Sequence, residues 1–353
     1  METQTPPTLH PLNLGELLDQ AIRLYRRNFI TFIGIIAVVY VPLMILQTAS
    51  TTLMSSSLGE LTRSSSPEAI FTNYAYWGGM LSTVVIAFLQ IIFVQGIATG
   101  ALTRAVADNY LGKTTSIMDA YRGIGKAWLP LLGALLFVGL VAIGLLLWWI
   151  IVPCVGWFTG LGMLAFLTAA VSPMVAPVVV LEGHGVVASV RRAWSLVRRR
   201  FWPVLGTVFV LFLFSLIVVN GPAAIINVLL TGLFSSIGNS TTQLVVTAIV
   251  QSLVSLVFTL IYYPLQMTAF TLIYFDLRVR TEGFDLALLT VANSEATDVS
   301  QVLAAPAAPT NERLITGPDL GNFAILTLGA AGLYILFFSV IMGSAFFFTS
   351  LFR

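Results

Sequence analysis

The chain has 353 residues, of which 58% are hydrophobic and only 9% charged, against about 25% charged in an ordinary soluble domain. That composition excludes a water-soluble globular protein, while the formal net charge of +2 says little, because in a bilayer it matters which loops carry the charge. A single cysteine, Cys154, excludes an internal disulfide and a thiolate metal cluster.

Residues 1–12 read as a flexible N-terminus. The chain up to residue 28 carries Glu16, Asp19, Arg23, Arg26 and Arg27, which does not fit a cleavable signal with an early apolar core, so the first span is expected to stay in the mature protein. Crossing a hydrocarbon core of roughly 30 Å needs about 20 apolar residues in a helix. Seven uncharged stretches meet or nearly meet that length: Phe29 to Leu46, Trp77 to Leu102, Trp128 to Val152, Phe158 to Leu181, Phe201 to Val219, Leu244 to Phe275 and Phe323 to Phe352. Pro173, Pro177 and Pro264 are expected to kink the fourth and sixth of these. Between the fifth and sixth lies a shorter apolar segment, Pro222 to Ile237, expected to be re-entrant or interfacial.

Charge bias supports seven spans with the N-terminus inside. Fifteen of the seventeen basic residues then fall on inner segments, leaving Arg63 and Arg353 outside. The largest outer connection is a polar loop from Gln47 to Tyr76. The expected fold is all-α: a six-span membrane domain over residues 13–286, a disordered Ala/Pro-rich linker over 287–322, and an appended seventh helix over 323–353.

A pattern occurs three times at identical offsets: Ala21, Arg27, Phe29 and Gly34; Ala120, Lys126, Trp128 and Gly133; Ala193, Arg199, Phe201 and Gly206. Each copy is a basic amphipathic segment running through an aromatic residue into an apolar stretch. In the third copy, Val186, Val190, Ala193, Trp194, Val197 and Phe201 fall on one helical arc, with Arg191, Arg192, Arg198 and Arg199 opposite. Such a helix can lie in the membrane interface with its apolar face at the acyl boundary. Asn13 with Glu16, and Ser116 with Asp119, offer caps for the first two copies. Because two spans follow each copy, the expected architecture is three parallel units around an axis along the membrane normal. The alternative is that any inner-face helix entering a membrane collects basic and aromatic residues.

Leu14-Gly15-Glu16-Leu17-Leu18-Asp19, Leu181-Glu182-Gly183 through Ala193-Trp194-Ser195-Leu196-Val197, and Tyr274-Phe275-Asp276-Leu277-Arg278-Val279-Arg280-Thr281-Glu282-Gly283-Phe284-Asp285 together carry a resemblance. Over Asn13 to Leu286 the chain resembles the membrane domain found with some bacterial glycerophosphoryl diester phosphodiesterases, and related polytopic proteins of unknown function. The resemblance implies a membrane fold and, without a counterpart of the catalytic barrel in this sequence, no phosphodiesterase activity.

His10 and His184 are the only histidines, and neither sits within helical reach of a carboxylate pair or the cysteine, so no metal, cofactor or catalytic constellation is expected. Glu182 and His184 read as turn and interface residues. Gln90, Gln95, Gln251 and Gln266 either hydrogen-bond between helices or line a polar path. The Gly96/Gly100 and Gly156/Gly160 pairs fit close helix packing. Arg26, Arg27, Lys126, Arg191, Arg192, Arg198 and Arg199 are the expected phosphate contacts for anionic lipid headgroups. Nucleic acid is disfavoured as a partner, because the same segments carry the apolar face. The expectation is a non-enzymatic protein of a bacterial plasma membrane that organises anionic lipid or a protein partner at the cytoplasmic face. The alternative is a transporter or lipid translocator.

Overall fold

Asn13 starts the first helix for a local reason: its side chain accepts the Glu16 N–H while the Glu16 carboxylate accepts the Asn13 N–H, both at 2.9 Å. The computed structural model describes residues 10–64, 73–152, 154–234, 240–292 and 315–351. Every regular element among them is helical: α1 (Leu14–Arg27), α2 (Phe29–Ser64), α3 (Tyr74–Tyr110), α4 (Ile117–Ile124), α5 (Trp128–Ile151), α6 (Val155–Glu182), α7 (Val186–Arg198), α8 (Phe201–Leu230, its helix continuing to Phe234), α9 (Ser240–Glu282), α10 (Phe284–Ala292) and α11 (Gly317–Leu351). Six segments are long and apolar enough to cross a membrane: Phe29–Met54, Tyr74–Tyr110, Ile117–Ile151, Val155–Glu182, Phe201–Leu230 and Val245–Glu282. The chain is thus a multi-pass helical membrane protein.

Three sequence expectations change. The segment from Pro222 is neither re-entrant nor a separate span, because α8 runs through it; a wider π-type turn at Leu216–Asn220 accommodates Pro222 without ending the helix. Ile237 lies outside the described residues. The polar loop expected from Gln47 is helical as far as Ser64, since Thr48, Thr51, Thr52 and Ser57 donate their hydroxyl protons to carbonyls one turn back. Of the expected 287–322 linker, residues 287–292 belong to α10, 293–314 lie outside the described residues, and α11 starts at Gly317.

The short helices α1, α4 and α7 also differ from expectation in what covers their apolar faces. Each packs antiparallel along the C-terminal part of an even-numbered span. On α1, the Leu12 N–H donates to Asp276 at 2.8 Å while the Tyr25 hydroxyl donates to the Ile261 carbonyl at 2.8 Å, so α1 runs back along α9. On α4, Ile124 lies over Gly100 and Gly123 beside Arg104 of α3. On α7, Arg192 meets Glu182 while Trp194 meets Phe166 of α6. Leu17, Ala21 and Tyr25, Ala120 and Ile124, and Val190, Ala193 and Val197 are therefore buried in protein. An apolar stripe is satisfied by protein as readily as by lipid, and its periodicity cannot tell the two apart.

Length explains where this happens. At about 1.5 Å per residue, the 37 residues of Tyr74–Tyr110 and the 38 of Val245–Glu282 reach about 55 Å, well beyond the roughly 30 Å of hydrocarbon. The surplus carries the core. Buried residues concentrate there, as with Ala98, Leu102 and Ala105 on α3, Met174 and Val178 on α6, and Ile273 and Leu277 on α9, whereas Val84, Phe88, Leu253 and Val257 on the other halves are exposed.

The N-terminus is tied to this core by one clamp. Asp276 holds the Leu12 N–H and pairs with Arg280 at 2.9 Å, and Arg280 donates to the Leu12 carbonyl at 2.8 Å. Asp276→Ala is expected to cost about 1.5–3 kcal/mol, the range for hydrogen bonds to charged groups. Faster amide exchange at residues 12–17, with the rest of the chain unchanged, is the measurement that checks it.

Candidate functional site

Three elements converge on one buried carboxylate at the basic end. α6 stops at Glu182 because Gly183, at φ +71°, turns the chain into the left-handed region, and α7 begins at Val186. The Glu182 side chain is 1% exposed. Its Oε1 accepts the Tyr274 hydroxyl at 2.8 Å and its Oε2 accepts Arg192 Nε at 3.0 Å, with His184 Nε2 3.1 Å from Oε2. From α9, Arg278 stands 3.9 Å from Oε1, donates to the Tyr274 oxygen at 3.1 Å and to Glu282 Oε2 at 3.1 Å, and lies over the Phe284 ring. Arg192 Nη2 also forms an ion pair with Glu282 Oε1 at 2.5 Å.

Two arginines and two glutamates balance the charge, which is what allows the group to be buried. Burial opposes the charge on Arg192, but the hydrogen bond and charge of Glu182, with Glu282 beside it, outweigh that and raise its pKa above the ordinary guanidinium value. Sequence reasoning read Glu182 and His184 as turn residues and missed this cluster. The available signal was Glu182 lying ten residues before Arg192 across a glycine-centred reversal, the spacing of two helices folded back on each other.

Of the expected phosphate contacts, Arg26, Arg27, Lys126, Arg191 and Arg199 are exposed. Arg192 and Arg198 are half-buried and engaged with carboxylates: Arg192 is held by Glu182 and Glu282, and Arg198 Nη1 pairs with Asp319 of α11 at 3.2 Å. Helical periodicity put both on the polar arc but could not reveal carboxylates arriving from other helices. Gln95 is exposed, while Gln90, Gln251 and Gln266 are half-buried.

Crevices open between the helices among the described residues. One, of about 330 Å³, lies at the basic end between the start of α1, the start of α8 and the end of α9, and is lined by Leu14, Leu17, Arg200, Gly206 and Ile273 among others. Another, of about 550 Å³, lies between α2 and α9 away from that end, with walls such as Met44, Leu53, Ile249 and Leu256. None of the four glutamines lines either crevice.

A family model described as a domain of unknown function (DUF7847) matches residues 12–277. No curated protein and no solved structure matches the chain.

Proposed function

The chain belongs to the family described as a domain of unknown function (DUF7847), and we propose that it is a non-enzymatic membrane scaffold that gathers anionic lipid at the cytoplasmic face of a bacterial plasma membrane. One observation carries this reading. The expected headgroup contacts that stay exposed, all but Arg191 in the middle of α7, sit where a short helix hands over to a long apolar one: Arg26 and Arg27 before Phe29, Lys126 before Trp128, and Arg199 before Phe201 and the exposed Trp202. Basic and aromatic residues side by side are the composition of a membrane interface. Near an anionic leaflet each basic residue contributes on the order of 1 kcal/mol.

Contacts between the units support a three-unit ring. α4 covers α3, α7 covers α6, and α1 closes the circle on α9. Exits from the even spans support it too: each turns at a glycine of positive φ, namely Gly112, Gly183 and Gly283. In this reading the basic end is cytoplasmic and α11 is a seventh span. It starts at that end through the Arg198–Asp319 pair and packs against α6 at Gly162. The resemblance to the phosphodiesterase-associated membrane domain belongs to the same proposal. The alternative of a transporter or lipid translocator gains no support from the two crevices, because Gln90, Gln95, Gln251 and Gln266 line neither.

The test is lipid analysis of the purified protein. Neutralising Arg26, Arg27, Lys126, Arg191 and Arg199 together to glutamine, with the half-buried Arg192 and Arg198 kept, is expected to reduce copurified anionic lipid relative to zwitterionic lipid by at least about fivefold. An unchanged ratio overturns the proposal.

A further inference from the structure

Two of the three junctions between units are filled by side chains, and the third is open. A Cβ built at Gly34 would lie 2.5 Å from Ile117, the first residue of α4, and one at Gly133 would lie 2.8 Å from Val186, the first residue of α7. Gly206 holds the same place in the third unit, yet a Cβ there would meet nothing within 4 Å. Across the 330 Å³ crevice stands Leu14, the first residue of α1. Two residues earlier, Asp276 and Arg280 hold Leu12 against α9.

We propose that this crevice binds one anionic phospholipid, with its phosphate on Arg200 and the upper part of an acyl chain against Leu14, Leu17, Val204 and Ile273. The inference rests on the lipid-gathering reading above and gives it a discrete site. Charge complementarity identifies the occupant. Arg280 on the same wall is neutralised by Asp276, whereas the side chain of half-buried Arg200 makes no hydrogen bond or ion pair among the described residues. The site is thus an apolar wall beside one uncompensated positive charge. A soluble anion would leave that wall wet, and a zwitterionic lipid would bring a cation toward Arg200; an anionic amphiphile satisfies both. A volume of about 330 Å³, at the small end of the roughly 300–1,000 Å³ typical of ligand pockets, suits part of one chain rather than a whole lipid.

The experiment is native mass spectrometry of the full chain in detergent, titrated with phosphatidylglycerol, phosphatidylcholine or inorganic phosphate. Wild type is expected to hold one equivalent of phosphatidylglycerol more tightly than any further equivalents. Arg200→Gln should weaken that equivalent about fivefold, the worth of one basic residue. Gly206→Leu should remove it by filling the crevice, and Leu favours the helix at that position. Equal binding of phosphatidylcholine, displacement by inorganic phosphate, or retention of the equivalent in both variants overturns the inference. The five-residue variant described above separates the two ideas. If it loses the anionic excess while the tight equivalent responds to neither Arg200→Gln nor Gly206→Leu, the crevice alone fails. If the excess stays while the tight equivalent follows those two variants, the general reading alone fails.

Discussion

Glu182→Ala is expected to destabilise the protein by about 3–5 kcal/mol, the cost of removing one partner from a buried ion pair, and to lower its thermal midpoint in detergent accordingly. The carboxylate is 1% exposed and receives Tyr274 and Arg192 directly, with Arg278 nearby. Truncation takes from Arg192 and Arg278 the carboxylate that both approach, so positive charge exceeds Glu282 among the described residues, in a space that water reaches poorly. The damage is specific in place: α7 loses its tie to the end of α6, and amide exchange should quicken through α7 and residues 274–282. A Glu182→Met/Arg278→Met double variant separates charge from packing, because replacing a buried pair with apolar groups of similar volume is commonly neutral or stabilising. It should recover much of the loss, while Arg192 and Glu282 still pair at 2.5 Å. A midpoint for Glu182→Ala indistinguishable from wild type would show that the cluster does not hold these helices together.

What the sequence revealed and what it hid divide along physical lines. Local signals were legible: Asn13 and Ser116 do cap helices, the basic-to-aromatic handovers do fall at helix junctions, and the apolar stretches are the long helices. Pairings across the fold were not legible. The polar arc of α7 reads the same whether its arginines face phosphates or carboxylates, and only the arrival of Glu182, Glu282 and Asp319 from other elements decides it. The stretch from Asp276 to Glu282, in sequence a marker of resemblance, turns out to be a row of ties: Asp276 and Arg280 hold Leu12, while Arg278 and Glu282 hold α7 and the end of α6. Charges at the end of a span read as orientation signals, and their second use shows only once the helix is seen to outrun the bilayer. Gly34, Gly133 and Gly206 were legible as a spaced set, but not that two are filled and one is open.

Gly162→Val is the second large effect, and it acts on α11. The Gly162 N–H donates to the Thr327 hydroxyl at 2.8 Å, and a Cβ there would run into the Phe323 carbonyl, lying 2.8 Å from its carbon atom. Overpacking against side chains costs about 1–3 kcal/mol because they can shift; here the obstacle is backbone, so the cost reaches at least the top of that range. Separating the helices also withdraws Phe323, fully buried against Phe166, Phe201 and Trp194, and breaks the contacts of Trp202 with Asn322 and of Arg198 with Asp319. Amide exchange over residues 317–327 should rise by about two orders of magnitude or more, while Gly144→Val, placed where a side chain meets nothing within 4 Å, changes little. A consequence for lipid binding follows. Undocking α11 takes Asp319 away from Arg198 at the basic end, so the anionic lipid retained by Gly162→Val should increase. Slow exchange in α11 despite the substitution would mean that Gly162 is not what allows the two backbones to meet. Released α11 with unchanged lipid content would mean that Asp319 does not compete with headgroups for Arg198.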